Sequence, residues 1–152
     1  MPRLDRRRFC SVLAGLSALP MLPARRAVAA ENDLTPIIAK ISAGRPVREG
    51  RVRVDTPSLA DNGHSVPLKI SVESPMTAAE HVVSISLLSD RNPRPLIATY
   101  HLGPRAGRAT VSTRVRLNGT QRLHAVAKLS DGSFWSGGAN VIVTESACLD
   151  DS

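Results

Sequence analysis

Apolar and polar residues alternate along most of the chain after residue 50, and this alternation predicts β-strands. The clearest run places apolar residues at every second position, namely Val66, Leu68, Ile70 and Val72. Successive side chains of a strand point to opposite faces, so a period of two describes a strand with one buried face.

The same period recurs in six further segments, at residues 52–54, 83–87, 96–101, 111–117, 123–129 and 139–143. Two dipeptides between these runs, Asn118-Gly119 and Asp131-Gly132, predict tight hairpin turns because both can supply the positive φ that such turns need. Seven short strands within about ninety residues predict an all-β fold, an immunoglobulin-like β-sandwich of about seven strands.

A short helix is predicted before the first strand. Ile37, Ile38 and Ile41 form an apolar stripe that ends before Gly44. Thr35 is the predicted N-cap residue, and Pro36 suits the first helical position.

The N-terminal segment has the pattern of a bacterial export signal. Arg6, Arg7 and Arg8 precede a weakly apolar run at residues 10–22, as in signals of the twin-arginine pathway. Residues 27–30 read Ala-Val-Ala-Ala, which predicts cleavage between Ala29 and Ala30. We therefore expect a twin-arginine signal peptide at residues 1–29 and a periplasmic mature protein.

A transmembrane anchor is the alternative interpretation of the same segment. The apolar run is about half of the roughly 20 residues that a spanning helix needs. Pro20 and Pro23 also interrupt it. Cleavage is favoured over anchoring, and no membrane partner is expected.

Removal of the signal changes the charge of the protein. The whole chain has a formal charge of +7, but six of its twenty basic residues and one of its thirteen acidic residues lie within residues 1–29. The remaining fourteen basic and twelve acidic residues give a charge of +2. The basic excess that would suggest a nucleic acid or an anionic membrane as partner is thus largely lost, and neither is predicted.

The chain offers few groups for catalysis or metal binding. His64, His81, His101 and His124 show no spacing typical of a metal site. No nucleophile elbow, phosphate-binding loop or dinucleotide fingerprint is present. We therefore expect no metal, no cofactor and no free-standing enzyme activity.

One cysteine remains in the mature chain. Cys10 leaves with the signal, so Cys148 cannot form an intrachain disulfide. The sandwich domain is predicted at residues 30–144, followed by a C-terminal arm at residues 145–152. Four extended residues reach roughly 13 Å, so Cys148 could hold a covalent adduct and present it to a partner. On position alone, an incidental thiol or a disulfide between two chains is an equally good interpretation.

Several short segments are similar to those of one protein family, SoxY. They are residues 59–67 (LADNGHSVP), 74–77 (SPMT), 92–95 (NPRP), 107–109 (GRA), 111–114 (VSTR), 119–121 (GTQ) and 130–135 (SDGSFW). No single segment is specific, but their order and spacing are, and the resemblance extends from about Leu34 to Cys148.

SoxY proteins are the sulfur-carrier subunits of the periplasmic thiosulfate-oxidising Sox system. The resemblance implies a sandwich domain paired with a SoxZ-like subunit in a heterodimer. It also implies that Cys148 carries sulfur intermediates between Sox-type enzymes, a c-type cytochrome sulfur transferase and a sulfate-releasing hydrolase. Independently of the resemblance, Phe134 and Trp135 follow a predicted turn and are expected to lie in the core or at an interface, which makes them candidates for contact with a partner.

The arm departs from the family pattern. SoxY proteins typically end Gly-Gly-Cys-Gly-Gly, whereas residues 146–150 read Ser-Ala-Cys-Leu-Asp. Ala147 and Leu149 restrict the backbone freedom that glycines give. Asp150 and Asp151 disfavour a nearby thiolate, so we expect them to raise the pKa of Cys148 and to slow its loading. A non-catalytic interaction subunit that has lost carrier chemistry is therefore the second hypothesis.

Overall fold

The computed structural model of the protein describes residues 31–145. This part of the chain is mostly β. The strands are β1 (Val47–Glu49), β2 (Val52–Asp55), β3 (Leu59–Asn62), β4 (Val66–Val72), β5 (Val82–Ser89), β6 (Leu96–His101), β7 (Thr110–Val115), β8 (Gln121–Leu129) and β9 (Phe134–Glu145). One helix, α1 (Thr35–Ser42), precedes them, and a single 3₁₀ turn (Pro104–Ala106) follows β6. The predicted signal peptide and most of the arm, including Cys148, lie outside the described residues.

The predicted N-terminal helix is confirmed, but its predicted cap is not. The N-cap position is Leu34, and Thr35 is already helical. The backbone N–H of Thr35 donates to the carboxylate of Asp33 at 2.9 Å, so an acidic residue two positions earlier satisfies a free N–H of the first turn. Within residues 31–145, no helix is long and apolar enough to cross a membrane.

The nine strands form two sheets. The larger sheet has the order β1-β9-β8-β5-β6, and β3 also pairs with β9. The smaller sheet has the order β2-β4-β7. β1 and β3 run parallel to β9, whereas the other pairs are antiparallel. All seven predicted strands are present, and β1 and β3 are two additional strands that the alternation did not predict.

Only one of the two predicted hairpins exists. β8 and β9 are antiparallel neighbours joined through Asp131-Gly132, and Gly132 has a φ of 82°. The prediction for Asn118-Gly119 is wrong, because this dipeptide follows β7 of the smaller sheet and leads into β8 of the larger one. A turn dipeptide specifies a local backbone conformation, but it does not specify which strands pair.

The main core lies between the two sheets. Its fully buried members include Ile70 of the smaller sheet and Ile85, Leu123 and Val141 of the larger one. The sheets approach closely at Gly137 of β9, where an added Cβ would lie 2.0 Å from the carbonyl oxygen of Val52. A glycine is required there because any side chain would overlap the backbone of β2.

A second apolar cluster lies on the opposite face of the larger sheet. Leu88 of β5, Val126 of β8 and Phe134 of β9 pack there with Leu34. The isoleucine stripe of α1 covers them. β5 and β8 are therefore buried on both faces over part of their length, which explains why their alternation is weaker than that of β4.

Candidate functional site

The strand that leads to the predicted carrier cysteine is held up to its last residue. β9 ends at Glu145, and Cys148 lies three residues further along the chain, outside the described residues. Leu59, Ala60 and Asn62 of β3 pair in parallel with Ile142, Val143 and Glu145 of β9. The Thr144 hydroxyl also donates to the Asp61 carbonyl. The point from which the arm leaves is thus fixed by hydrogen bonds to β3.

A buried glycine connects this point to the smaller sheet. The backbone N–H of Gly63 donates to the carbonyl of Glu145 at 2.8 Å. The carbonyl of Gly63 accepts from the N–H of Leu117, also at 2.8 Å. Leu117 follows β7 and is fully buried. The last carbonyl of β9 is therefore linked through Gly63 to a residue anchored in the core.

Thr120 holds the other side of β9. Its hydroxyl lies 3.0 Å from the backbone nitrogen of Val143, which donates to it, and 3.3 Å from the carbonyl of the same residue. The carbonyl of Thr120 accepts from the Arg91 guanidinium at 2.9 Å. Thr120 therefore links β9 to the positively charged side chain of Arg91.

Asn92 organises the loops around this anchor. Its side-chain oxygen accepts from the backbone N–H of Asn118 at 2.9 Å and from the Gln121 side chain at 3.2 Å. Its side-chain nitrogen donates to the Arg116 carbonyl at 2.8 Å. Buried Ser89 contributes to the same network by donating to the Gln121 side chain. We call the loops at residues 63–65, 89–95 and 116–120, together with the end of β9, the arm end.

Three of the segments that carry the resemblance meet at the arm end. They are residues 59–67, 92–95 and 119–121, which are far apart in sequence. Gly63, Asn92 and Thr120 are the residues in them that support β9 or its neighbouring loops. Gly63 acts through its backbone, Asn92 through its side-chain amide and Thr120 through its hydroxyl, so these segments fix the end of β9 and the loops beside it.

Charged groups near the arm end are partly buried. Asp90 is 5% exposed, and both of its carboxylate oxygens accept from the backbone N–H of Arg122, at 3.1 and 3.2 Å. The pKa of half-buried His124 is lowered, chiefly because burial disfavours its charged form and secondarily because Arg122 is close, while Asp90 acts in the opposite direction. His124 is therefore biased towards the neutral form.

The opposite end of the sheets carries the aromatic residues. Two guanidinium groups lie close to the Trp135 ring, with Arg48 at 5.6 Å and Arg51 at 5.3 Å from its centroid. Phe134 is 4% exposed beneath α1, so of the two expected positions, core or interface, it occupies the core. Trp135 is only half-buried and remains a candidate for contact with a partner.

The four histidines do not form a cluster. His64 lies in the loop after β3, His81 before β5, His101 at the end of β6 and His124 within β8. Within residues 31–145, no group of three or more His, Cys, Asp or Glu side chains could hold a metal ion.

The fold and the anchored strand define a two-sheet β-domain whose last strand is held up to Glu145. The chain matches the family model described as sulfur oxidation protein SoxY over residues 37–148. It therefore belongs to the SoxY family, and the resemblance seen in the sequence is confirmed. No curated protein matches the chain.

Solved structures give the same result for the fold. The sulfur carrier protein SoxY from Chlorobium limicola f thiosulfatophilum has a TM-score of 0.63 and 27% identity, covering 73% of this chain and 96% of that one. A superoxide reductase (neelaredoxin) from Ignicoccus hospitalis has a TM-score of 0.55 and 17% identity, covering 62% and 80%. A putative superoxide reductase from Thermotoga maritima has a TM-score of 0.54 and 19% identity, covering 66% and 89%. The likeness to the superoxide reductases is one of fold alone.

Proposed function

We propose that this protein is a periplasmic sulfur carrier that holds sulfur intermediates covalently on Cys148 during thiosulfate oxidation. The observation that carries the proposal is the SoxY family match, which extends through residue 148. The likeness to a solved structure named as a sulfur carrier protein supports it. The chain would act as a covalent substrate carrier for partner enzymes and would not itself be a catalyst.

The anchor at the arm end suits this role. A carrier must present its loaded thiol to a partner's active site while its own domain remains outside. Gly63 and Thr120 fix the last residues of β9, so the residues after Glu145 begin from a defined point on the surface. The three residues from Glu145 to Cys148 can span at most roughly 10 Å.

Loading of Cys148 with thiosulfate is an oxidation. The thiol loses its proton, a bond forms between its sulfur and the outer sulfur of thiosulfate, and two electrons pass to an oxidising partner. The thiolate is the reacting species, so the neighbouring Asp150 and Asp151 should make this step slower than in a carrier with a glycine arm.

The remaining parts of the proposal concern location and assembly. We infer a twin-arginine signal peptide at residues 1–29, cleavage before Ala30 and a heterodimer with a SoxZ-like subunit. Transient partners would be a c-type cytochrome sulfur transferase and a sulfate-releasing hydrolase. We also infer an immunoglobulin-like topology, because the three-stranded sheet β2-β4-β7 faces a sheet containing β9-β8-β5-β6.

Intact mass spectrometry tests the carrier function. Protein purified without reductant from cells grown on thiosulfate should carry a sulfur or sulfonate adduct, and the Cys148→Ser variant should lack it. The variant replaces one side-chain sulfur by oxygen at a position outside residues 31–145, so its domain should fold as the wild-type domain does. An unmodified thiol in the wild-type protein from these cells would contradict the proposal.

The divergent arm favours one alternative, a non-catalytic interaction subunit. In that case Cys148→Ser would leave both partner binding and growth on thiosulfate unchanged. A growth defect of the variant would rule this alternative out. Covalent dimerisation through Cys148 is a third hypothesis, and a band of doubled mass on a non-reducing gel would support it.

A further inference from the structure

Two exposed apolar side chains lie next to each other near the end of β9. Among residues 31–145, the large apolar side chains that remain exposed are Leu59 at 55%, Leu96 at 43% and Ile142 at 54%. Leu59 and Ile142 are register partners of β3 and β9 and therefore lie side by side. Val141 and Val143 belong to the core between the sheets, so Ile142 points to the outer face of the larger sheet. We call Leu59 and Ile142 the outer pair.

Two opposite charges flank the outer pair on the same face. Arg122 of β8 is the register partner of Asn140, which is two residues before Ile142. Asp61 is two residues after Leu59 on β3, and β3 runs parallel to β9, so Asp61 lies two residues further along than Ile142. Side chains two residues apart on a strand share a face, so Arg122, Asp61 and Ile142 all point outward.

The positions of the two charges are related by symmetry about Ile142. Each charged residue lies one strand to the side and two residues along, so both Cα atoms are about 8 Å from that of Ile142, in opposite directions. A two-fold rotation about an axis parallel to the sheet, perpendicular to the line from Arg122 to Asp61, exchanges the two positions. A second copy laid on this face by that rotation brings its Asp61 over Arg122 and its Arg122 over Asp61.

Both charges are available for such a contact. The ion pairs among residues 31–145 are Arg51–Glu80 and Arg53–Asp55, so Arg122 and Asp61 form none within this part of the chain. The carboxylate of Asp90 bonds to the backbone N–H of Arg122 and not to its side chain. The exposed Arg122 side chain lies along Gly138, where an added Cβ would be 3.1 Å from its Nε, and its rotatable bonds let the guanidinium turn towards a carboxylate above the sheet.

The rest of the described domain leaves room for a second copy. On the Arg122 side of Ile142, α1 covers the outer face around Phe134 and Val126. On the Asp61 side the described domain ends close by, because β3 is an edge strand and β9 ends three residues after Ile142. The rotation exchanges these two sides, so α1 of each copy lies beyond the edge of the other copy's sheet.

We propose that two copies of this chain associate through the outer faces of their larger sheets, with Ile142 of each copy at the two-fold axis. The two outer pairs pack together, and two ion pairs form between Arg122 of one copy and Asp61 of the other. A two-fold interface must be complementary to itself, and the arrangement of this face meets that condition. A different partner would not require the symmetry of the charges. The association does not depend on Cys148 or on any sulfur chemistry.

The apolar contact is expected to contribute more than the ion pairs. Exposed ion pairs add little and are weakened by salt, so in this dimer they mainly fix the orientation of the two copies. Interfaces smaller than about 1,200 Å² are mostly weak and transient, so we expect a Kd of about 10 µM to 1 mM.

Sedimentation equilibrium of the mature chain under reducing conditions tests the proposal. Reductant removes any disulfide through Cys148, so only non-covalent dimers are counted. Ile142→Ser should weaken dimerisation about tenfold or more, because both copies lose this side chain at the axis. Leu96→Ser is the matched control, because Leu96 is also exposed but lies on β6 at the other edge of the larger sheet, and it should leave the Kd unchanged.

Charge reversal tests the symmetry of the contact. Arg122→Glu and Asp61→Arg each create two contacts between like charges, so neither variant should dimerise alone at concentrations at which the wild type does. An equimolar mixture of the two variants should dimerise within about threefold of the wild-type Kd, because both contacts in the mixed dimer again join opposite charges. Arg114→Glu is the control, since Arg114 is exposed on β7 of the smaller sheet, and it should leave the Kd unchanged.

Three outcomes would overturn the proposal. The first is a wild-type protein that remains monomeric up to about 1 mM, the upper end of the expected Kd range. The second is equal association of the wild type and Ile142→Ser, which decides the matter even if a charge-reversed variant fails to fold. The third is a mixture of folded Arg122→Glu and Asp61→Arg proteins that stays monomeric. If Ile142→Ser abolished binding of a SoxZ-like subunit and left self-association unchanged, the outer pair would belong to that interface and the proposal would be wrong.

Discussion

The two ends of the sheets are stabilised by different kinds of contact. At the arm end, backbone and side-chain hydrogen bonds through Gly63, Asn92 and Thr120 fix the loops and the end of β9. At the opposite end, Phe134 packs beneath α1 and the Trp135 ring lies close to two arginines. The arm end therefore depends on direction-specific polar bonds, and the opposite end depends on burial of large side chains.

This difference separates two roles within one domain. Hydrogen bonds fix the position and direction of a strand end, whereas apolar packing mainly contributes to the free energy of unfolding. Changes at the opposite end should lower stability without altering the arm, and changes at the arm end should alter the start of the arm as well.

The largest loss of stability is expected from Phe134→Ala. Truncation of a buried phenylalanine should lower the free energy of unfolding by about 3–4 kcal/mol, measured by urea unfolding. Trp135→Ala should cost less than half as much, because the ring is only half-buried. The alkylation rate of Cys148 in folded Phe134→Ala protein should equal that of the wild type. A changed rate would show that the two ends are coupled.

Asn92→Ala should give the next largest effect. It removes three hydrogen bonds that join two loops of the arm end, which should cost about 2–3 kcal/mol of unfolding free energy. Asn140→Ala is the control, since Asn140 is exposed on β9 and should change stability by less than about 0.5 kcal/mol. Similar losses in both variants would remove the basis for treating Asn92 as an organising residue.

Thr120→Val tests the anchor of β9 more locally. The N–H of Val143 loses its acceptor, so its hydrogen exchange should become about fivefold faster, equivalent to roughly 1 kcal/mol. Thr99→Val removes a hydroxyl that bonds to Ser86 on β5, away from the arm end, and should leave the exchange of Val143 unchanged. Unaltered exchange in Thr120→Val would contradict the proposed anchoring.

The smallest expected effect is a pH dependence from His124. Its pKa is lowered in the folded protein, so the unfolded state binds the proton more tightly. Its contribution to stability is complete above the unfolded pKa of about 6.5 and decreases as the pH falls below that value. His124→Gln should show a smaller decrease in urea midpoint between pH 8 and pH 5 than the wild type. An equal decrease would assign the pH dependence to other groups.

The sequence was sufficient to predict the strands with strong alternation. The strand β4 could be predicted because one of its faces is buried and the other is largely exposed, which gives a strict alternation in the sequence. β1 and β3 could not be predicted in this way, because they are three and four residues long and mostly exposed. They are strands because β9 offers them a pairing edge, which is a property of the folded sheet.

The candidate site was only partly predictable. Cys148 could be named from its position and from the family resemblance, and its role remains a prediction. The support for β9 could not be derived from pattern, since Gly63, Asn92 and Thr120 are separated by about thirty residues each and are brought together only by folding. The only signal for these residues was that they lie in segments similar to SoxY. That similarity did not indicate that the three segments lie together in the fold.

Asn32 has a practical consequence for experiments on this protein. Its backbone N–H donates to the carbonyl of Asp90 and its side chain to that of Asn92 at 2.9 Å, which places the start of the described chain at the arm end. An affinity handle or fluorophore attached upstream of Asn32 would therefore lie beside the loops of the arm end. The exposed turn at Asp131, on the far side of the molecule, is the better place for a label or a surface tether.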